Sequence, residues 1–184
     1  EAINAYTVAD SIKPHSKWTL IHLASLCFSE QKMEEAATYY KDLLDISPDS
    51  RKYLLSASVA LMHCLRFEEA LPLLYKAAYL DENSVSILRQ LAWCLIVNTK
   101  QNEAMTHILK LLAIDCNDEM ANVLFSIVLI LDGKMMDAYQ KLRSIATSSI
   151  ITDLGEKLAI LHRLNRIENS NRILFLDALQ LNDD

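Results

Sequence analysis

The sequence predicts an all-α protein, an α-solenoid of antiparallel helix pairs with about 11 helices. The chain of 184 residues holds only two glycines and three prolines. These are too few for the tight turns of a β-sheet or for a glycine-rich phosphate loop. A fixed period of 34 residues is typical of a helical repeat protein. Four alanines recur at this interval: Ala36, Ala70, Ala104 and Ala138.

The segments around these alanines align with one another without a gap. They read KMEEAATYYKDLLDISPDS, RFEEALPLLYKAAYLDENS, QNEAMTHILKLLAIDCND and KMMDAYQKLRSIATSS. Apolar residues four and seven positions after each alanine fall on one face of a helix. Acidic residues precede each alanine, where they stabilise the positive end of the helix dipole. Each segment is therefore expected to form the second helix, B, of a helix pair.

The residues before each helix B fit a first helix, A, and in this register the chain resembles the tetratricopeptide repeat (TPR) family. The eighth position, usually a small residue in the family, holds Ala24, Ser58, Ala92 and Ser126. The fourth position, usually apolar, holds Leu20, Leu54, Leu88 and, as a departure, Asn122. The helix-ending proline of the family survives only as Pro48. The resemblance implies complete repeats at 17–50, 51–84, 85–118 and 119–152.

The two ends of the chain follow the same register. One period before Ala36 lies Ala2, so residues 1–16, EAINAYTVADSIKPHS, are expected to be helix B of a preceding repeat. Residues 153–184 are expected to form a degenerate repeat with capping helices, whose last helix B is offset by about 32 residues rather than 34. A more polar last unit is what a solenoid needs to face water. Pro72, inside the second helix B, is expected to cause a local kink or a loose first turn.

The composition argues against several classes of function. The formal net charge of -6 and the pI near 5.4 argue against a nucleic-acid partner. The longest apolar run, VLFSIVLILDG, is too short for membrane insertion. The histidines show no metal-ligand spacing, and no serine or cysteine lies in a nucleophile motif. We therefore expect no enzymatic activity, no cofactor and no metal site.

The four cysteines are Cys27, Cys64, Cys94 and Cys116, and no two of them form a CxxC pair. Each lies in or beside an apolar helical stretch, so all four are expected to be buried free thiols. Unpaired cysteines favour a reducing compartment, and hence a cytoplasmic location.

The TPR resemblance implies a candidate binding site on the A helices. In the family, positions 2, 5, 9, 12 and 13 of helix A line the concave face and contact partners. The candidate partner-binding residues at these positions are Trp18, Ile21, Ser25, Lys52, Leu55, Val59, Met62, Arg89, Trp93, Ile96, Val123, Ile127 and Ile130. The carboxylate clamp of chaperone-binding members is not matched, because its first Lys and Asn positions hold Ile21 and Ser25.

Three interpretations of this largely apolar face stay open. It binds an apolar or amphipathic segment of a protein or peptide partner, as a non-catalytic scaffold module. Alternatively, it is filled by its own side chains, by flanking sequence or by a second copy, with self-association also through the N-terminal edge. As a third option, it sequesters hydrophobic segments of a client protein, as a chaperone does. The other role considered is a regulatory or accessory domain of a larger protein. For Trp18 and Trp93, packing within the array is as plausible as anchoring of a partner.

Overall fold

The computed structural model describes residues 16–143 and 147–168, together with Tyr6, Val8 and Asp177. All regular secondary structure in this part of the chain is helical, as the sequence predicts. The helices are α1 (Lys17–Ser29), α2 (Met33–Ile46), α3 (Arg51–His63), α4 (Phe67–Leu80), α5 (Val85–Val97), α6 (Gln101–Ile114), α7 (Glu119–Leu131), α8 (Met135–Arg143) and α9 (Ser148–Arg163). The described residues thus contain nine helices rather than about 11. The first and last expected helices fall on 1–16 and 169–184, which lie almost entirely outside the described residues.

The chain divides into two compact units, Glu1–Cys94 and Leu95–Asp184, and the division falls inside α5. In the first unit α1 packs against α2, α2 against α3, and α3 against α4. In the second unit α7 packs against α6, α8 and α9. Helices α1, α3, α5 and α7 begin at residues 17, 51, 85 and 119, so their first residues follow the same 34-residue period as the alanines.

Small residues are fully buried at two places in each helix pair. The alanine of each B helix has no exposed surface, and neither do Ala24 and Ala92 on the A helices. Ser58 and Ser126 occupy the equivalent buried positions of α3 and α7. Their hydroxyls donate to the carbonyl oxygens of Leu54 at 2.6 Å and Asn122 at 2.9 Å. A serine is tolerated here because the helix itself accepts its hydrogen bond.

The turns that follow α1, α3, α5, α7 and α9 share one conformation. One residue in each adopts a positive φ: Gln31, Leu65, Thr99, Gly133 and Asn165, with φ between 55° and 76°. The N–H of the following residue donates to the carbonyl five residues earlier, at 2.8–2.9 Å, and the positive-φ residue donates to the carbonyl three residues earlier. This pair of hydrogen bonds is the Schellman motif, which satisfies carbonyls at the helix end. The last step along the chain, Gly133 to Asn165, is 32 residues rather than 34.

Asn122 and Pro72 are two unusual residues within the helices. Asn122, at a usually apolar position, is buried, and its amide donates to the carbonyls of Cys116 at 3.2 Å and Asp118 at 2.8 Å. It thereby ties together the turn that lacks the family's proline. Pro72 lies inside α4, and the helix runs from Phe67 to Leu80 without ending at it. Its missing N–H removes one hydrogen bond within the helix.

An exposed charge network joins the first two helix pairs. Arg66 donates to both carboxylate oxygens of Glu69, at 2.6 and 2.8 Å, and to Glu34 at 2.7 Å. Lys41 donates to Glu69 at 3.0 Å. These hydrogen bonds from Arg66 and Lys41 lower the pKa of Glu69 to about 2. The network therefore links α2 to α4 through charges that stay in contact with solvent.

We expect Gly133→Ala to lower the free energy of unfolding by about 1 kcal/mol, because a side chain disfavours a positive φ. No atom lies within 4 Å of a Cβ built on Gly133, so the cost comes from the backbone alone. Thr99→Gly, at the equivalent turn, is expected to raise the free energy of unfolding by about 0.5–1 kcal/mol. Urea titration followed by circular dichroism measures both. A loss of stability in Thr99→Gly would contradict the view that the positive φ of Thr99 costs free energy in the folded state.

The charge network predicts that the stability of the fold decreases at low pH. Since the pKa of Glu69 is lowered in the folded state, its ion pairs stabilise the fold above its ordinary pKa of 4.5. That stabilisation is lost as the pH falls towards 2. Glu69→Gln should therefore lower Tm at pH 7 and flatten the decline of Tm between pH 4.5 and 2. Glu68→Gln is the control, because Glu68 makes no ion pair within the described residues. An equally steep decline in Glu69→Gln would refute the assignment.

Candidate functional site

In the first unit, α1 and α3 lie side by side and run in the same direction. Near their first residues, Lys17 Nζ lies 6.0 Å from the ring centroid of Tyr53. Near their last residues, the rings of Phe28 and His63 meet edge to face with centroids 6.4 Å apart. The two helices therefore present adjacent rows of side chains, which we call the α1–α3 face: Trp18, Ile21, Ser25 and Phe28 on α1, and Lys52, Leu55, Val59 and His63 on α3.

The α1–α3 face combines exposed polar residues with half-buried apolar ones. Ser25 and Lys52 are exposed, whereas Ile21, Leu55 and Val59 are half-buried. Met62, also predicted for the site, is buried. The accessible part of the face is thus an apolar strip with polar groups beside it. An arrangement of this kind suits a partner segment that carries apolar anchors.

Trp18 is largely exposed, with 59% of its surface accessible to solvent. Its ring centroid lies 4.2 Å from that of His22 and 5.5 Å from that of Tyr6. His22 Nδ1 lies 2.8 Å from the carbonyl oxygen of Trp18, which accepts its hydrogen bond. The Tyr6 and His22 rings also stack on each other, with centroids 5.1 Å apart, so Trp18 belongs to a cluster of three rings while most of its own surface stays exposed. Tyr6 and His22 were not predicted for the site, because neither falls on a position that the family uses for binding.

Trp93 is packed inside the first unit, with only 8% of its surface exposed. Its ring meets the Phe67 ring edge to face, with centroids 6.1 Å apart. The neighbouring Cys94 thiol donates to the carbonyl of Phe67 at 3.3 Å. Phe67 thus anchors this part of α5 to the start of α4, and Trp93 is part of the packing of the array. Arg89, one turn earlier on α5, is half-buried.

The predicted site residues of the second unit are buried: Ile96, Val123, Ile127 and Ile130. Three of them belong to α7, whose sequence EMANVLFSIVLIL is apolar apart from Glu119, Asn122 and Ser126. A helix of this composition is expected to be covered on all faces. The burial of these four residues agrees with the second interpretation of the apolar face, in which the protein's own side chains fill it. The seven predicted residues that remain accessible all belong to the first unit.

The cysteines and histidines provide no reactive or metal-binding cluster in the described part of the chain. All four cysteines are free, but the expectation that all are buried is wrong. Cys116 is exposed because it lies in a turn, and Cys64 is half-buried. Burial and a contact with Glu35 raise the pKa of Cys27 to about 11, and burial also raises the pKa of Cys64. A raised pKa keeps these two thiols protonated and therefore poorly nucleophilic.

Solved structures with the same arrangement of helices are numerous, and three illustrate the likeness. MamA is 16% identical, with a TM-score of 0.68 over 86% of this chain and 89% of MamA. YrrB, reported as a TPR protein with an unusual peptide-binding site, is 17% identical, with a TM-score of 0.64 over 98% of this chain and 93% of YrrB. TTC0263, a TPR protein of Thermus thermophilus, is 15% identical, with a TM-score of 0.59 over 97% of this chain and 89% of TTC0263.

The chain has the TPR fold. No protein-family model and no curated protein matches the sequence. The helix pairs and their 34-residue period therefore carry the assignment together with the solved TPR structures. Within the described residues, no helix has the length and apolar character needed to cross a membrane.

The two tryptophans of this TPR fold are expected to differ in their contribution to stability. Trp93→Ala should lower the free energy of unfolding by about 3–5 kcal/mol, because it leaves a cavity beside Phe67. Trp18→Ala should cost less than about 1 kcal/mol, because its indole is largely exposed. Since the chain has two tryptophans, each variant leaves a single fluorophore to follow the urea titration. A larger loss in Trp18→Ala would contradict the assigned packing.

Proposed function

We propose that this protein is a non-catalytic protein–protein interaction module, a scaffold that binds a partner segment along the α1–α3 face. The observation that carries the proposal is the accessible strip of Trp18, Ile21, Leu55 and Val59. An apolar strip held on rigid helices offers anchoring positions with little loss of side-chain entropy on binding. Ser25 and Lys52 border the strip and are able to form hydrogen bonds to the partner.

The partner proposed is a protein or peptide segment rather than a small molecule. The accessible residues follow two adjacent helices for most of their length, so the contact area is elongated. A helix or an extended segment fills such a surface, with anchors at regular spacing. The report of a peptide-binding site in YrrB supports this class of partner, although its likeness to the chain is one of fold. We also propose the repeat boundaries 17–50, 51–84, 85–118 and 119–152, with 1–16 and 153–184 as partial units.

Among the alternatives, sequestration of long hydrophobic client segments is disfavoured. That activity needs an apolar groove along several repeats, whereas Val123, Ile127 and Ile130 of the second unit are buried. We propose that the second unit stabilises the array and that partner binding is confined to the first unit. No specific observation favours a regulatory or accessory role over the scaffold role.

Val59→Asp is expected to weaken partner binding at least tenfold, because a carboxylate in the apolar strip must be desolvated on binding. Affinity capture from a lysate of the cells that make the protein, followed by mass spectrometry, compares Val59→Asp with the original chain. Tyr79→Asp is the matched control: it places the same charge on α4, at a side chain that is 84% exposed.

Circular dichroism and Tm must show that Val59→Asp is folded at the capture temperature. Partners retained by Tyr79→Asp and lost by a folded Val59→Asp would support the proposal. Equal recovery with both variants, or no partner that is specific to the original chain, would count against binding at the α1–α3 face.

A further inference from the structure

The A helices of the first unit carry no acidic residue. Their sequences are KWTLIHLASLCFS for α1, RKYLLSASVALMH for α3 and VSILRQLAWCLIV for α5, and none contains Asp or Glu. The basic residues on these helices are Lys17, Arg51, Lys52 and Arg89. These helices therefore carry a positive net charge, whereas the whole chain has a net charge of -6.

The acidic residues of the first unit lie on the B helices and in the turns, where basic residues neutralise several of them. Glu34 and Glu69 bond to Arg66, and Asp49 pairs with Lys76 at 2.9 Å. Glu30, in the turn after α1, pairs with Lys32 at 3.0 Å. These four carboxylates are therefore partly neutralised by cations of the B helices and turns.

Arg51 and Lys17, two of these basic residues, form bonds within the array itself. Arg51 pairs with Asp81, and Lys17 donates to the Ser47 hydroxyl at 3.0 Å. Each bond joins the start of an A helix to the residue that follows helix B of the same pair. Lys17 and Arg51 therefore connect the two ends of their helix pairs.

Lys52 is the cation that borders the apolar strip. It is exposed, and it forms no ion pair or hydrogen bond with any residue that the structure describes. Leu55 lies nearly one turn later on α3, and Val59 one turn beyond that. A carboxylate of a bound segment would reach Lys52 while apolar side chains of the same segment occupy the strip. Apolar surroundings strengthen such an ion pair by excluding water.

We propose that the segment bound by the α1–α3 face is both apolar and acidic, with side-chain carboxylates that pair with Lys52. This inference rests on the proposed function and specifies the chemistry of its partner. Because α1 and α3 contain no Asp or Glu, an acidic segment meets no carboxylate of these two helices. A basic segment would find no counter-charge there, so the surface discriminates between the two.

The test is selection of binders from a random library of 16-residue peptides displayed on phage, with the full chain immobilised. Counter-selection on Val59→Asp removes peptides that bind elsewhere. We expect the remaining peptides to be enriched in Leu, Ile, Phe or Trp together with Asp and Glu, and to carry a net negative charge. One selected peptide, labelled with fluorescein, is then titrated against variants by fluorescence anisotropy.

Lys52→Glu should weaken binding of that peptide at least tenfold, and replacement of its acidic residues by Lys should restore most of the loss. Lys76→Glu is the matched control, because it makes the same charge change on α4 and should alter Kd less than twofold. Peptides that depend on Val59 but are neutral or basic would overturn the inference and leave the proposed function intact, as would an acidic peptide indifferent to Lys52→Glu. Failure to select any peptide that depends on Val59 would overturn both.

Discussion

Burial of one small residue on the A helix and one on the B helix of each repeat is the constraint on which the rest of the structure depends. Alanine or serine on the A helix and alanine on the B helix are fully buried, so a larger side chain at either place would have to displace its neighbours. These positions recur every 34 residues, and the first residues of α1, α3, α5 and α7 follow the same period. Regular helix pairs then place α1 beside α3, and this placement creates the α1–α3 face.

The helices could be predicted because the spacing of apolar residues within each segment indicates a helix. The conformation of the turns between them could not be predicted in this way. Apolar spacing around Ala36 and its counterparts sets the B helices, and the same register assigns the A helices. The five positive-φ residues gave no such signal: only Gly133 is a glycine, and Gln31, Leu65, Thr99 and Asn165 are ordinary residues. Their conformation is stabilised by the two backbone hydrogen bonds of the Schellman motif. A search of the sequence for glycine at helix ends therefore identifies only one of these five turns.

The candidate site was predicted in position but not in accessibility. The family register places Trp18 and Trp93 in the same class, yet one is mostly exposed and the other is packed against Phe67. Phe67 belongs to a different helix, so no spacing rule applied to α5 alone reveals the contact. For α7 the signal was present in the sequence, since a helix that is almost entirely apolar is usually covered by the rest of the protein. Alternation of apolar and polar residues along a helix is thus a better guide to an open groove than apolar content.

In the first unit the acidic residues lie on the B helices and in the turns and are absent from α1 and α3, and this changes what the net charge of -6 means for a partner. Arg66, Lys41, Lys76 and the α3 residue Arg51 offset part of that negative charge. At physiological salt the Debye length is about 8 Å, so carboxylates on the far side of a helix pair are largely screened from a segment on the α1–α3 face. Lys52 acts within contact distance and is screened much less. Because Lys52 is exposed at the border of the strip, its pairing with a carboxylate acts on the association rate and on the salt dependence of binding, whereas the apolar contacts of the strip set the dissociation rate.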